Sequence, residues 1–584
     1  MRVSVMALTG CIASFAVAQT AGTGLTQSGG EDLPITKRQV VQPAPPINTY
    51  SFFPQIARPQ IARGLRPENP KHPLIEENPA SGLDFSYLPV GNSNGNWSIR
   101  RNSRFPGITN TGWVPPDPHI AVGPNHIVQV VNSSIAFFNK ATGAKQFEQT
   151  LSAGGFWSGV SGVGSFVFDP KVIYDPDSQR FIVLSLDVDF TNSVSGYEIA
   201  ISDDSNPNGT WFRYYFDNTV TSGSDKFWGD YPSMGVNEDY VAVSCNMFAF
   251  SAGSPPSASS MQVFKKTPML TGQPLEATTF SPNNFTIQLA KKTKAGDYPI
   301  FGVARSGGGA VTLYAIREVS LAPAVTTQVV LHPGSVTGPG QVNARNTFID
   351  TVPGRIMDAC AMETAVVWAN TIGNGSNSRV RWGHIEAGNW PASGTPTLIQ
   401  TGNIQYASGS ALMPAIAINE FRSIAVVFSR CSPSLTPRLA VAARRNTDPL
   451  GTMSTPTDLA SSADFEGSGG GSRWGDYAGA QVDPSDPDVF WVCAELFAAS
   501  NLSWTTEITS LTVNSFNGVF NPLSVTPLSG TNTGGNVASF VTEGDNNFYD
   551  MLSASITRDS QQTGYELLTV STIPWVEHDN IYVT

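Results

Sequence analysis

Aspartates recur at the start of short apolar strands along this chain, and they are the residues best placed to do chemistry. Each precedes a run that is typical of a β-strand, as in "DPKVIYDPDSQRF" and "DYPSMGVNEDYVAVSC". The recurring acids are Asp117, Asp169, Asp230, Asp297, Asp358 and Asp476. If these strands stand around a common axis, their carboxylates gather at one rim. There they could bind Ca²⁺ through oxygen ligands or divide into an acid and a base with separated pKa values.

Aromatic residues accompany these acids, because the tetrapeptide Trp-Gly-Asp-Tyr occurs twice, in "KFWGDYPSMGVN" and "SRWGDYAGAQVD". Aromatic faces beside carboxylates suit sugar ligands. The remaining ligand-binding candidates are His119, Trp228, Tyr231, Tyr298, Arg473, Trp474 and Tyr477. A structural role competes with ligand binding. An Asp before a strand can accept backbone N–H bonds from its own turn, and a Trp beside Gly can wedge between repeated units.

Other catalytic arrangements are not indicated, so catalytic residues stay unassigned. The six histidines lack metalloprotease spacing, and the sequence has no nucleophile elbow, phosphate loop or dinucleotide fingerprint. A sialidase would need several converging arginines and a Tyr nucleophile with an acidic partner. Only Arg473 and Tyr477 stand out for those roles. A net charge of −12 argues against nucleic acid as a partner.

The chain repeats one unit, made of a short apolar strand, a tight turn, a second apolar strand and further strand-like segments. The successive units start at Asp117, Asp169, Asp230, Asp297, Asp358, Met413 and Asp476. Spacings of roughly 50 to 70 residues suit a four-stranded blade with elaborated loops. The sequence therefore predicts an all-β protein with a β-propeller of seven four-stranded blades over residues 105–516. Six blades are the alternative, because the units at Asp358 and Met413 match least well.

Two turns within the units support a propeller. "SNPNGTW" and "TDPLGTM" place Pro and Gly before an outer strand. These turns resemble the Asp-box of sialidase-like propellers, although Pro replaces the Asp of the box and no residue separates Gly from Thr. The whole stretch 105–516 also resembles secreted bacterial β-propeller proteins of largely unassigned function, through "TGWVPPDPHIAVGPNH", "FDPKVIYDPDSQRF" and the two "WGDY" segments. The resemblance implies a fold and an extracellular location.

The flanking regions differ from the repeats. Residues 1–18 read as a cleaved secretory signal, with a lipid anchor at Cys11 as the alternative. Residues 19–104 are rich in Pro, Gly and polar side chains, which predicts a disordered or extended segment. Residues 517–584 show short β patterns that predict a small β-sandwich-like accessory domain, and the ending inside an apparent strand suggests a truncated chain. No later stretch is long and apolar enough to predict a spanning helix.

Two functions fit these observations. The first is a secreted or cell-surface propeller, expected to be monomeric, that recognises a glycan or an extracellular protein at the acidic and aromatic rim. The second is a sialidase-like or other carbohydrate-active hydrolase that uses the rim carboxylates. No cofactor is required by either, although Ca²⁺ could bind. Cys245, Cys360, Cys431 and Cys493 lie in apolar runs, which favours small buried side chains over a metal site and leaves disulfides open.

Overall fold

A computed structural model describes residues 30–52 and 97–516, with gaps at 165, 252–258, 307–309, 332–340, 345–346, 353, 375, 464–472 and 500–502, and six short strands after residue 521. The predicted signal segment lies outside the described residues. The described chain is almost entirely β, and its single α-helix, Lys266–Met269, has four residues. None of its helices is long and apolar enough to cross a membrane.

The strands before the repeats come first in the chain. They are β1 (Glu31–Asp32), β2 (Ile35–Val41), β3 (Pro43–Asn48) and β4 (Trp97–Thr109). A 3₁₀ turn at Thr49–Phe52 follows β3.

Seven sheets follow, and they form a seven-bladed β-propeller, as the sequence predicts. Blade 1 contains β5 (His119–Val122), β6 (His126–Val131), β7 (Ser134–Asn139) and β8 (Lys145–Thr150). Blade 2 contains β9 (Val167–Asp175), β10 (Arg180–Asp189), β11 (Val194–Ser202) and β12 (Thr210–Asp217). Blade 3 contains β13 (Val220–Ser222), β14 (Asp225–Val236), β15 (Tyr240–Ala249), β16 (Ser259–Lys265) and β17 (Leu275–Phe280).

The remaining blades share this meander. Blade 4 contains β18 (Gln288–Leu289), β20 (Ile300–Ser306), β21 (Ala310–Val319) and β22 (Ala322–Leu331), and the intervening strand β19 (Lys291–Lys292) pairs in parallel with the innermost strand of blade 5. A separate hairpin follows, formed by β23 (Gln341–Ala344) and β24 (Thr347–Asp350). Blade 5 contains β25 (Ile356–Met362), β26 (Ala365–Asn374), β27 (Asn377–Glu386) and β28 (Thr397–Ile404). Blade 6 contains β29 (Ser410–Ile418), β30 (Ile424–Ser432), β31 (Leu435–Arg444) and β32 (Thr457–Ser461). Blade 7 contains β33 (Gly479–Asp483), β34 (Asp486–Ala499) and β35 (Ser503–Phe516).

The ring is closed by an N-terminal strand, because β4 pairs antiparallel with β35 and becomes the outermost strand of blade 7. The predicted propeller boundary at residue 105 therefore falls inside β4. The strands that precede β4 form a strap along the outer edges of three blades: β1 pairs with β22, β2 with β17 and β3 with β12. The strands of this strap cover edges that would otherwise expose unpaired backbone groups.

The apolar core lies between neighbouring blades rather than in one central mass. Val183 of blade 2 packs in one cluster with Phe137 of blade 1, and Ile508 of blade 7 packs in another with Ile127 of blade 1. Each blade is covered on both faces, so its strands are continuous apolar runs without strict alternation. Among the described residues, Cys245, Cys360, Cys431 and Cys493 are buried and free.

The strands of the tail are β36 (Pro522–Thr526), β37 (Phe540–Gly544), β38 (Ala554–Ile556), β39 (Leu568–Val570), β40 (Val576–Glu577) and β41 (Asn580–Val583). Four of them form one sheet in the order β36-β37-β41-β40, and β38 pairs with β39. The predicted sandwich-like domain otherwise lies outside the described residues and stays a prediction.

Candidate functional site

Each blade has one left-handed residue that lies within its innermost strand or a few residues before it. These residues have φ between 42° and 57°, and they are Asp117, Asp169, Tyr231, Thr286, Val352, Met413 and Asp476. They mark one end of the central channel, called the entrance below, and the opposite end is called the exit. Asp tolerates a positive φ better than most residues. This conformational tolerance gives a structural reason for Asp at three of these positions, Asp117, Asp169 and Asp476.

Four of the six predicted aspartates meet at the entrance. Asp117, Asp169, Asp230 and Asp476 are each at most 1% exposed. Asn132 links two of them, because its Nδ2 donates to Asp117 Oδ2 at 2.8 Å and its Oδ1 accepts from the backbone N–H of Asp169 at 2.9 Å. These four carboxylates and the tyrosine, arginine and lysine side chains around them are called the entrance cluster.

A tyrosine and a carboxylate are paired within this cluster. The hydroxyl of Tyr477 donates to Asp169 Oδ2 at 2.7 Å. The ammonium of Lys171 lies 2.9 Å from the centre of the Tyr477 ring, and the rings of Tyr477 and Tyr231 lie 4.8 Å apart. The phenol is therefore held between an acceptor at its oxygen and a cation at its face.

Two arginines supply the balancing positive charge. Arg473 forms an ion pair with Asp476, and both side chains are almost fully buried. The guanidinium of Arg355 lies 5.3 Å from the centre of the Tyr231 ring. Arg355 also lowers the pKa of Asp230, although burial and the charge of Asp169 act more strongly in the opposite direction.

Burial dominates the electrostatics of the cluster. It raises the pKa of Asp117 and of Asp230 well above the ordinary range, and neighbouring carboxylates add to both shifts. Burial also raises the pKa of Asp476 to about 6, with the guanidinium of Arg473 acting against it. The pKa of Lys171 falls to about 7, because its ammonium is desolvated and the attraction of Asp169 offsets only part of the cost.

Asp358 and His119 lie further along the channel, in a small cavity that Lys171 and Lys291 also line. Asp358 forms an ion pair with Lys291 and accepts the backbone N–H of Ile416 at 2.8 Å. His119 Nδ1 lies 2.9 Å from the carbonyl oxygen of Val172. Burial lowers the pKa of His119, and the two lysines lower it further, so this histidine is neutral in the folded protein.

Asp297 and Tyr298 do not belong to the entrance. Both lie in the loop between β19 and β20, where Asp297 is exposed and the Tyr298 ring lies 5.7 Å from the ammonium of Lys292. The innermost strand of blade 4 is instead β18, two residues long, which starts before this loop. The placement of a blade start at Asp297 was wrong, because the longer apolar run there forms the second strand of the blade.

The two Trp-Gly-Asp-Tyr segments both reach the entrance, but their backbones differ. The left-handed residue is Tyr231 in the first and Asp476 in the second. Trp228 packs among aromatic rings, 5.4 Å from Phe190 and 5.5 Å from Phe248. Trp474 stacks on Phe497 at 5.6 Å and donates from Nε1 to Ser429 at 2.9 Å. The two tryptophans are packing residues, and the same tetrapeptide serves two local geometries.

Sequence reasoning missed Lys171, Arg355, Lys291 and Asn132. Lys171 stands two residues after Asp169, within a segment already recognised as a blade start. Alternation along the strand could have placed its side chain beside the channel. Arg355 carries no such signal, because it follows a connection of irregular length, and Asn132 stands in an ordinary tight turn between β6 and β7.

Hairpin β23–β24 packs over the entrance. Val342 and Ile349 belong to the same buried cluster as Met413, Trp474 and Tyr477. The hairpin also brings Asp350 close enough to raise the pKa of Asp476. The entrance cluster is therefore covered in this structure.

The exit holds a cavity of about 280 Å³, lined by residues that include Pro124, Tyr174, Lys294 and Glu420. The acid-rich turns at this end are paired with lysines: Asp175 with Lys266 at 2.7 Å, Asp177 with Lys292 at 2.5 Å and Asp483 with Lys140 at 2.7 Å. Across the described ranges, no group of three or more His, Cys, Asp or Glu side chains is arranged to hold a metal ion. Binding of Ca²⁺ at the entrance stays a prediction.

Asp476 and Asp297 look alike in the sequence, since both precede an apolar run. The ion pair of Asp476 predicts that only this one contributes strongly to the free energy of unfolding. We expect Asp476→Ala to lower the free energy of unfolding by about 3 kcal/mol, because it removes one carboxylate of a buried ion pair with the guanidinium of Arg473. Asp297→Ala, at an exposed position, should change it by less than about 0.5 kcal/mol. Denaturant unfolding of both variants, with calcium and with chelator, checks this. Equal losses, or a loss at Asp476 that appears only with calcium, would contradict the structural pairing.

No family model matches this chain, and neither does any curated protein. Solved structures with a similar fold include a Hadza microbial sialidase, at 10% identity over 68% of this chain and 65% of that one, with a TM-score of 0.32. A thermostable family-43 glycoside hydrolase matches at 10% identity over 61% of this chain and 96% of that one, with a TM-score of 0.28. Trypanosoma rangeli sialidase in complex with sialic acid matches at 10% identity over 65% of this chain and 57% of that one, with a TM-score of 0.26. The chain thus spans less than two thirds of either sialidase, and the likeness concerns the fold alone.

Proposed function

We propose that this protein binds a carbohydrate at the entrance cluster of its propeller. The observation that supports this most is the Tyr477–Asp169 hydrogen bond of 2.7 Å inside a ring of buried charges. Buried ion pairs contribute little net stability compared with apolar packing. Clusters of strongly perturbed titratable groups are typical of functional sites.

The chemistry of the cluster suits hydroxyl groups on a ring. Carboxylates such as Asp117 accept hydrogen bonds, the guanidinium groups of Arg355 and Arg473 donate them in pairs, and the neighbouring rings of Tyr231 and Tyr477 supply aromatic surface for C–H groups. Access requires hairpin β23–β24 to move, since its apolar residues pack against Tyr477. A neutral or weakly charged glycan fits better than a polyanion, because the chain carries a net charge of −12.

The second candidate function is glycoside hydrolysis, and the same tyrosine pair favours it. Tyr477 would act as nucleophile with Asp169 accepting its proton, since burial raises the pKa of this phenol and a nearby base is needed to ionise it. Asp117 or Asp230 would supply the proton to the leaving group, because both have raised pKa values.

The proposal includes an extracellular location. The N-terminal pattern of residues 1–18 supports export or surface attachment. We expect the exported protein to act as a monomer. A protein ligand in place of a glycan is an outcome that the binding experiment below separates.

A glycan array and a chromogenic glycoside panel, run with the wild type, Asp169→Asn and Tyr477→Phe, test the proposal. We expect at least tenfold weaker glycan binding in both variants, because Tyr477→Phe removes the donor of this hydrogen bond and Asp169→Asn replaces its charged acceptor by a neutral amide. Lys294→Ala at the exit, where the side chain is well exposed, is the control and should bind as the wild type does. Turnover by the wild type that Tyr477→Phe abolishes would establish the hydrolase.

Two outcomes would contradict an entrance site. One is binding that survives both entrance variants and is lost in Lys294→Ala, which would move the ligand to the exit cavity. The other is the absence of binding to every glycan by a wild-type protein that melts cooperatively. Melting temperatures of all variants separate lost binding from lost folding.

A further inference from the structure

A second pair of buried acids lies inside blade 2, away from the entrance. Glu198, on β11, is 0% exposed, and no other residue in the described part of the chain donates a hydrogen bond to its carboxylate. Asp187, on the neighbouring strand β10, is 3% exposed, and its Oδ1 is likewise without a partner. A buried carboxylate with nothing to satisfy it is rare in folded proteins and requires an explanation.

Strand register puts the two acids on one face of the sheet. Ser185 lies directly opposite Glu198, and Asp187 lies opposite Gly196. Residues two apart on a strand share a face, so Ser185, Asp187 and Glu198 project to the same side. The charge of Asp187 also raises the pKa of Glu198, beyond the larger effect of burial, which places the two groups within electrostatic reach.

The segment between β8 and β9 lies over this face and approaches it through glycines. The backbone N–H of Gly164 donates to Asp187 Oδ2 at 2.6 Å, and a Cβ on Gly164 would lie 2.7 Å from Asp187 Oδ1. Trp157 on the same segment donates to the hydroxyl of Ser185 at 3.2 Å. Because Gly164 has no side chain, its main-chain atoms can come this close to the Asp187 carboxylate. A side chain at this position would fill the space beside that carboxylate.

Local cations do not neutralise this pair. Neither Asp187 nor Glu198 forms an ion pair within the described residues. Arg213 on the adjacent strand directs its guanidinium to backbone oxygens, at 2.8 Å from those of Phe156 and Ser158 and 2.7 Å from that of Pro45. Two carboxylates in an apolar blade face are costly without compensation.

We infer that Glu198 and Asp187 hold a Ca²⁺ ion, with both oxygens of Glu198, Oδ1 of Asp187 and the hydroxyl of Ser185 as its protein ligands. A divalent cation neutralises two carboxylates at once. All of these ligands are oxygens, and Ca²⁺ accepts six to eight of them in irregular geometry. Backbone carbonyls of the glycine segment and water would complete the shell. Zn²⁺ would favour nitrogen or sulfur ligands, which this site does not offer.

This site is independent of the proposed carbohydrate function, and its role is to fix the segment before β9 to the blade. The test uses the full chain after treatment with chelator, melted with and without millimolar Ca²⁺ or Mg²⁺. We expect Ca²⁺ to raise the melting temperature of the wild type by about 5 °C, because only the native state binds the ion. Mg²⁺ should raise it much less, because Mg²⁺ demands a near-ideal octahedral set of ligands. Calorimetry with Ca²⁺ should give one ion per chain.

Glu198→Gln, which keeps the shape of the side chain, should remove the calcium-dependent rise and the bound ion. This variant should still fold in chelator, because it removes a buried charge. Asp476→Asn is the matched control, as a buried acid of the entrance, and should keep the full rise. Terbium, which replaces Ca²⁺, should luminesce through the nearby Trp157 in the wild type and not in Glu198→Gln.

Three results would overturn the site. The first is a calcium-dependent rise of equal size in Glu198→Gln and the wild type. The second is a rise that disappears in Asp476→Asn and not in Glu198→Gln, which would move the ion to the entrance. The third is no rise at all in chelator-treated wild type, which would mean that both carboxyl groups are held protonated.

Discussion

A chain that starts at Asn110 will not form a closed propeller, whereas a chain that starts at Trp97 will. The difference between them is β4, which supplies the outermost strand of blade 7 by pairing with β35 from Thr109 to Trp97. We expect the shorter chain to lose its cooperative thermal transition. The measurements are differential scanning calorimetry and size-exclusion chromatography of both chains.

The contacts of β4 explain why one strand should have this effect. Arg101 donates to the backbone oxygen of Leu459 in blade 6 at 2.7 Å, Arg104 pairs with Glu507 in blade 7 at 2.8 Å, and the backbone N–H of Ile108 donates to Gln129 in blade 1 at 2.7 Å. Loss of β4 therefore removes links to three blades and exposes a sheet edge. The chain that starts at Trp97 lacks only the outer strap and should melt cooperatively at a somewhat lower temperature. A cooperative transition in both chains would show that blades 1 and 7 hold together without the closing strand.

The free energy of unfolding should depend strongly on pH because of Lys171. The pKa of this lysine is about 7 in the folded protein and 10.5 in its ordinary state. Between these values the unfolded chain binds more protons, so the stability that Lys171 contributes is fully present above pH 10.5 and is lost as pH falls through 7. We expect the wild type to gain on the order of 5 kcal/mol relative to Lys171→Met as pH rises across this window.

Denaturant unfolding of both proteins at a series of pH values measures this gain, and only the difference between them is used. Subtraction removes the contributions of other groups, such as Asp476 and His119, whose pKa values are shifted in opposite directions. Lys226→Met, at an exposed lysine, is the control and should give a difference that does not change with pH. A flat difference for Lys171→Met as well would mean that the ammonium remains solvated or fully paired in the folded protein.

Much of the architecture could be predicted because its signals are local. Apolar runs such as that of β10 and turns rich in Asp, Gly and Pro are properties of a few consecutive residues, and their repetition gave seven blades. The one misplaced blade start, at Asp297, has the same cause. The ladder of β18 is only two residues long, so the local signal was stronger in the strand that follows it.

The candidate site was predicted in part. Four of the aspartates at strand starts do meet at the entrance, because radial repetition places equivalent positions around one axis. Their surroundings could not be predicted in this way. Hairpin β23–β24 covers the entrance, and it belongs to a connection between blades that the repeat pattern does not describe.

The sequence by itself determined the β class, favoured seven blades over six and placed four of its six aspartates at a common rim, because each of these follows from periodicity within a unit. Only the tertiary structure decided which groups face one another. Tyr477 and Asp169 are 308 residues apart in the chain. Strand β4 completes blade 7, whose other three strands lie between residues 479 and 516. Such pairs depend on how blades are packed and closed, since hydrogen bonds, ion pairs and burial are set by distances in space that no local pattern encodes.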